Sequence, residues 1–329
     1  MKNQVEFTDL ITISIPVYER YDYFEEAINS ALNQTVKCNI IVIDNASSHT
    51  KFRDFVVAKN LDYLHYYRND ENLGMVNNWN RGIELAQTKW LSILHDDDAL
   101  DVRFIEVILS YILKNETRVA YSVECFIGPT LIESNFKINA DVKSWEVDKS
   151  VFLMGNLTPF PGVVFLKTIA SELCGFKVEE FPIQDLTFWY KLFSKGSIEK
   201  IPSVLAFYRV NNDQTSVQFS QAMINSSYHF KRKISKGLWE LLMVYGSTNI
   251  LRNSYKNLYN QNTLKLPFAL FRLKLLEFYF SFLNKIILLV KNSLLSLKFV
   301  FKLKQNSNSI NDTGFYKFLK KIKKWSFKV

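Results

Sequence analysis

Three adjacent carboxylates, Asp96, Asp97 and Asp98, end the apolar run Leu91-Ser92-Ile93-Leu94-His95. Like charges that close repel one another, and the end of an interior strand is a poor place to leave them uncompensated. A divalent cation resolves the conflict, because hard cations take oxygen ligands and hold phosphate oxygens as well. The alternative is a solvated turn that caps a helix beginning near Asp101.

Four further clusters carry groups that could act with these acids. Asp44 ends an apolar stretch within the short-polar turn Asp44-Asn45-Ala46-Ser47-Ser48; its carboxylate can accept the N–H of a uracil or thymine ring, or simply make an Asx turn. The loop at residues 68–74 runs from Arg68 to Gly74. Its glycine permits close approach of backbone to a ligand, and the helix after it offers free N–H groups to a phosphate; an ordinary left-handed turn is the alternative. Asp185 stands at the start of an amphipathic helix, beyond Thr158-Pro159-Phe160-Pro161-Gly162. A cap is its simple role, and a general base is the catalytic one. Arg209, in Tyr208-Arg209-Val210-Asn211, could neutralise a leaving diphosphate.

The elements that must position these groups follow from periodicity. Residues 10–15, 39–43, 63–67 and 90–94 read as strands, and 22–33, 75–87 and 101–114 as helices, with a further helical stretch ending near Asn60. Strand and helix alternating four times predict βαβ units and a parallel sheet. In such a sheet a ligand sits outside the carboxyl ends of the strands. The clusters at 16–20, 44–48, 68–74 and 95–98 all fall there.

Taken in order, ISIPVYER, IIVIDNASS, NLGMVNNWNRGIELA, WLSILHDDDAL, CGF with QDLTFWYKLFSKG, and AFYRVNNDQTS resemble the inverting glycosyltransferase family 2, over about residues 8–218. The resemblance implies the glycosyltransferase-A fold, a Rossmann-like, mostly parallel sheet flanked by helices. It divides the chain into a catalytic domain at 1–218, with a nucleotide-binding half to about residue 100 and an acceptor half after it, and a helical basic region at 219–329. Pro16, Val17, Tyr18 and Glu19 would then line the nucleotide pocket, with Asp44 and Arg68 at the base and Gly74 and Asn78 from the loop and helix. Asp96 would face the ribose or sugar. Asp97 or Asp98 would bind Mn²⁺ or Mg²⁺, and Asp185 would deprotonate the acceptor hydroxyl. The donor would be a UDP- or dTDP-sugar, and the acceptor a glycan or lipid-linked oligosaccharide of a bacterial surface polymer. The sequence departs from the family pattern at His95, which occupies the first place of the D-x-D register, at Gln184 in place of Glu, and at Asn211 in place of His. Those departures suit a rival reading, a catalytically inactive scaffold or sugar-binding member.

Composition limits the alternatives. The 329 residues are 48% hydrophobic with ten glycines, enough for a large core and too few glycines for flexible linkers. Cys38, Cys125 and Cys174 form no CxxC pair, which argues against thiolate metal sites and for a reducing compartment. Glu6 and Asp9 interrupt any leader-like apolar stretch. From residue 264 onward 14 basic residues face only Glu277 and Asp312, a local charge of +12 within a chain total of +9, so the body before it is slightly acidic. A nucleic-acid enzyme would spread basic charge over its working face. The tail lacks an apolar run long enough to span a bilayer. Lys291, Lys298 and Lys302 share one helical face opposite Leu and Phe, and Lys317, Lys320, Lys321, Lys323 and Lys324 precede Trp325. That is the form of a helix lying in a membrane interface. It predicts a cytoplasmic enzyme held peripherally on the inner face of the membrane; a helical pair packed on the catalytic domain, or an oligomer interface, is the alternative.

Overall fold

The computed structural model describes residues 7–128, 143–210 and 218–260. The basic tail beyond residue 260 and Asn211 lie outside the described residues.

The first half realises the alternation read from the sequence. Strands β1 (Phe7–Val17), β2 (Lys37–Asp44), β3 (Leu64–Arg68) and β4 (Trp90–Ile93) alternate with helices α1 (Phe24–Leu32), α2 (Lys51–Lys59) and α3 (Met75–Leu85). All three pairings, β1 with β2, β1 with β4 and β2 with β3, are parallel. The strand order β3-β2-β1-β4 means that the chain winds outward from β1, then returns through α3 to the other side of it. The carboxyl ends of β1 and β4 therefore flank the point where strand order reverses, which is where such sheets open a ligand crevice. Register sharpens the placement: Val17 pairs with Asp44, and Asp44 with Arg68, so three candidate residues stand abreast at that edge.

Beyond β4 the sheet becomes mixed. It comprises β5 (Ala99–Leu100), β6 (Ala120–Gly128), β7 (Trp145–Glu146), β8 (Val163–Leu166) and β9 (Ile198–Arg209). β8 runs antiparallel between β4 and β6, β6 pairs parallel with β9, and β5 and β7 pair antiparallel with β9. Helices α4 (Phe104–Ile112), α5 (Lys149–Met154), α6 (Lys167–Glu172) and α7 (Gln184–Lys195) belong to this half. Two more helices, Ser220–Ile234 and Leu238–Asn260, follow it. The second packs near α5 through Lys149–Glu240, 2.7 Å, and a Ser247 hydroxyl bond to the Leu153 carbonyl. Among the described residues no helix is long and apolar enough to cross a membrane.

The core lies on both faces of the sheet. One cluster joins Ile11, Ile13, Ile15, Phe24, Phe52 and Phe104, and the other joins Trp79, Phe160, Phe176, Phe188 and Trp189. Each large side chain so buried contributes about 1.5–3 kcal/mol. α3 approaches β1 closely at Gly82, where an added Cβ would meet Ser14 Oγ at 2.4 Å and Ser14 Cβ at 3.1 Å. That contact holds the helix that leads into β4 and the acids. Gly82→Val is expected to lower the unfolding free energy by about 1–3 kcal/mol through overpacking; urea denaturation followed by circular dichroism measures it.

Candidate active site

The acids occupy a tight loop between β4 and β5, rather than the first turn of a helix. Helix α4 begins at Phe104, later than the residue-101 start read from the sequence, and its entry is organised by Asp101, whose Oδ1 accepts from the Arg103 backbone N–H at 2.9 Å. The strand β5 separates Asp98 from that helix and ties the loop to β9. Asp101 therefore shapes the turn that leads into α4, and the three preceding carboxylates take no part in it.

Two arginines brace them. Arg20 Nη2 lies 2.6 Å from Asp96 and 2.8 Å from Asp97. Burial works against the Arg20 charge, but the two carboxylates more than reverse this and raise its pKa. Arg209, at the end of β9, donates its backbone N–H to Asp98 Oδ1 and its Nε–H to the Asp97 carbonyl, both at 2.9 Å. Its guanidinium pairs with Glu26 and lies 4.2 Å from the Tyr23 ring centroid. In this position Arg209 holds the acid loop in place; meeting a diphosphate, as the sequence suggested, would require it to leave Glu26.

Even so, the charge is not fully compensated. Burial, with Asp97 adding to it, pushes Asp98 well above the ordinary carboxylate range, and burial pushes Asp96 up to about 6. Asp98 is 1% exposed, and its Oδ2 has no hydrogen-bond partner among the described residues. His95 stands beside it, one ring nitrogen 3.9 Å from that oxygen. The imidazole stacks on Trp79 (5.2 Å) and leans on Phe160 (4.5 Å), and burial lowers its pKa to about 4, so it is neutral near pH 7. One donor atom each from His95, Asp97 and Asp98 lies within 4.8 Å of the others. An orphaned buried carboxylate oxygen among converging donors fits a divalent cation. The sequence had assigned no role to His95 beyond a departure from pattern.

The other loops are wired to this one. Asp44 is fully buried: Oδ1 accepts from Ser47 N–H at 2.8 Å, and Oδ2 from Tyr66 at 2.6 Å and Arg68 at 2.8 Å. It thus makes the Asx-type turn and pairs with Arg68, whose second amino group reaches the Ser47 carbonyl at 2.7 Å. Glu19 adopts φ 54°, a left-handed conformation uncommon for a residue with a side chain, and Ala46 does the same at φ 64°. The Glu19 carboxylate accepts from the Ser48 N–H and hydroxyl, each at 2.8 Å, which lowers its pKa and joins the loops after β1 and β2. Pro16 and Val17 are buried beneath, while Tyr18 is 45% exposed at the edge.

The loop at 69–74 hangs on asparagines. Asn45 Oδ1 accepts from Asn69 at 3.0 Å and from the Leu73 N–H at 2.9 Å, while Asn45 Nδ2 donates to Asn72 at 2.7 Å. Asn69 also donates to Asn78 at 2.9 Å, and Asn78 to the Ile43 carbonyl at 3.1 Å. Gly74 sits at φ 79° with no atom within 4 Å of a Cβ position, so it is needed for its backbone angle.

Asp185 lies at the start of α7, where Asn156 Nδ2 donates to its Oδ2 at 2.7 Å. Burial raises its pKa despite hydrogen bonds that oppose the rise, although Gln184 replaces the neighbouring charge. Lys200 is buried beneath and donates to the Leu157 carbonyl at 3.3 Å, next to Asn156. Rings connect the two regions: Phe160 touches His95 on one side and Trp189 of α7, 5.6 Å away, on the other.

The fold agrees with what the chain is similar to. The model of glycosyl transferase family 2 matches residues 12–134. An uncharacterized glycosyltransferase of Haemophilus influenzae is 23% identical over 244 residues, covering 70% of this chain and 74% of that protein. The GalNAc(5)-diNAcBac-PP-undecaprenol beta-1,3-glucosyltransferase of Campylobacter jejuni is 27% identical over 61% of this chain and 64% of its own length. Among solved structures, S. aureus TarS 1-349 in complex with UDP-GlcNAc superposes with a TM-score of 0.56 at 12% identity, over 78% of this chain and 76% of that one. The chain thus has the glycosyltransferase-A fold, its residues 12–134 match the glycosyl transferase family 2 model, and the relatives it resembles are named glycosyltransferases.

Proposed function

We propose that this enzyme transfers a sugar, with inversion, from a UDP- or dTDP-sugar to a hydroxyl of a lipid-linked glycan, at the cytoplasmic face of a bacterial membrane. The observation that carries the reading is convergence. The Asp44–Arg68 pair and the acid loop meet at one sheet edge, and a ring row joins that edge to the helix bearing Asp185. The TarS structure that this fold resembles holds UDP-GlcNAc, which supports a uridine nucleotide as donor. The name of the Campylobacter relative specifies an undecaprenol-linked acceptor, which supports the lipid-linked class. The basic tail, read from sequence, supplies a reason for peripheral attachment, since it would bring enzyme and lipid acceptor onto one surface.

In this mechanism Pro16, Val17, Tyr18 and Glu19, with Asp44 and Arg68, bind the nucleotide; Asp96 and Arg20 face the ribose and sugar. Asp97 and Asp98 would hold Mn²⁺ or Mg²⁺, which when bound supplies positive charge for the departing diphosphate. Asp185 takes the proton from the acceptor hydroxyl as its oxygen attacks the anomeric carbon opposite the leaving group. Asn156 holds one oxygen of Asp185 and so orients the carboxylate. Burial makes that carboxylate a stronger base than an exposed one.

Three outcomes are expected. Calorimetric titration with UDP gives binding in Mn²⁺ that EDTA abolishes; equal binding in EDTA overturns the metal requirement. Asp185→Asn lowers kcat by about 10²–10⁴-fold, the range for a lost general base, with UDP affinity unchanged; near-native turnover sinks the assignment. Asn156→Ala removes a bond that favours the ionised form of Asp185, so its pKa rises further. The enzyme works only with Asp185 ionised, so the acid limb of the kcat/KM profile should move to higher pH by about one unit. An unmoved limb shows that Asn156 does not hold the base.

A further inference from the structure

We infer that His95 is a nitrogen ligand of the cation site, and that it makes the site select Mn²⁺ over Mg²⁺. The inference rests on the metal-dependent reading above and goes beyond it, since the D-x-D pattern of the resemblance supplies oxygen donors only.

The argument begins with ring position. Trp79 and Phe160 both pack against the His95 imidazole, and its Nδ1 lies 3.9 Å from the buried Asp98 Oδ2. A cation with ligands at about 2.1 Å places adjacent donors about 3.0 Å apart and opposite donors about 4.2 Å apart. The His95–Asp98 separation falls between these values. In the full set with Asp97 the donors lie within 4.8 Å of one another, so binding one ion would draw the side chains together by about an ångström.

Next comes the orphaned oxygen. Asp98 Oδ2 is buried without a hydrogen-bond partner among the described residues, and the ring nitrogen beside it is His95 Nδ1, 3.9 Å away. A buried oxygen left unpartnered next to a ring nitrogen is costly unless something binds between or beside them. At Asp97 the Arg20 guanidinium already stands 2.8 Å from Oδ2, so a positive charge is accepted at this end of the cluster. A water could satisfy one of these atoms, but it would leave the repulsion among the acids untouched.

Donor type then decides the metal. Mg²⁺ prefers oxygen and holds its waters, whereas imidazole suits the transition ions, with affinity rising after Mn²⁺ along the first-row series. A site made of one imidazole and two carboxylates should therefore discriminate against Mg²⁺ more than an all-oxygen site does. Replacing His95 by Asp restores the D-x-D register and supplies an oxygen in the same place.

Pulsed electron paramagnetic resonance on the full-length protein with Mn²⁺ alone reads the ligand directly. Wild type should show hyperfine coupling to a directly bound ¹⁴N, replaced by a ¹⁵N pattern when the protein carries ¹⁵N-histidine. The coupling should vanish in His95→Gln and in His95→Asp. Calorimetry should show the Mg²⁺-to-Mn²⁺ ratio of Kd falling in His95→Asp by about tenfold, the lower end of effects from altering a metal's surroundings. Bound Mn²⁺ without nitrogen coupling in the wild type, or coupling that persists in both variants, overturns the inference and leaves the metal-dependent reading standing. Absence of Mn²⁺ binding overturns both. The labelled wild type makes the test independent of whether either variant folds.

Discussion

The mutual repulsion of Asp96, Asp97 and Asp98 is the constraint around which the rest of the site is arranged. Three carboxylates in consecutive positions cannot all be buried and ionised without positive charge nearby. The protein supplies part of it through Arg20 from the loop after β1 and Arg209 from the end of β9, elements widely separated in sequence. Each arginine therefore ties a distant part of the sheet to the loop after β4. Asp98 remains partly uncompensated, and its raised pKa expresses that deficit. A cation bound at this loop would remove the deficit and, by binding only the folded state, would stabilise it.

The same logic explains the prevalence of short polar side chains around the nucleotide edge. A loop that must present backbone to a ligand cannot hide its own polar groups in the core. Asn45, Asn69, Asn72 and Asn78 substitute for the missing ladder bonds, each amide offering both a donor and an acceptor. Their network fixes the loop before α3 without adding charge to a region where the balance is already delicate. Left-handed backbone at Glu19 and Ala46 belongs to the same economy, since these conformations cost of order 1 kcal/mol or more and persist only where surrounding bonds over-determine them. The Glu19 bonds to Ser48 supply that determination.

Much of this was legible in the sequence, and the parts that were not share a physical cause. Strands of the first half were readable because their apolar runs are bounded by polar turns, and the candidate residues at their ends were readable because short polar types have few other uses there. β5 was not: a two-residue strand is defined by its partner β9, and nothing within Ala99-Leu100 announces it. Without it, Asp101 and the three acids merge into one apparent cap. The antiparallel insertion of β8 between β4 and β6 was hidden for the same reason, since pairing direction is decided by tertiary neighbours. Arg20 and Asn156 carry no local signal, because each acts on a partner far along the chain, 76 and 29 residues away. His95 was seen but undervalued: only its packing against Trp79 and Phe160, beside an orphaned oxygen, makes a departure from pattern a candidate donor.

The two carboxylate centres are burdened differently, and that difference suits the two roles proposed for them. Asp98 is raised by burial and by the acid next to it, a burden that an added cation would relieve. Asp185 is raised by burial, with hydrogen bonds from Asn156 and the backbone acting against the rise, and no neighbouring acid contributes. Positive charge brought to the first would lower its proton affinity, while the second, with its own surroundings unchanged, would keep a base of moderate strength. Gln184 is consistent with that division: a glutamate in its place would have added negative charge beside Asp185, raising its pKa by repulsion, whereas here burial is the one influence that raises it. The ring row His95–Phe160–Trp189 runs from the residue before the acid loop to the helix that carries Asp185, so apolar contacts tie the two centres to one core.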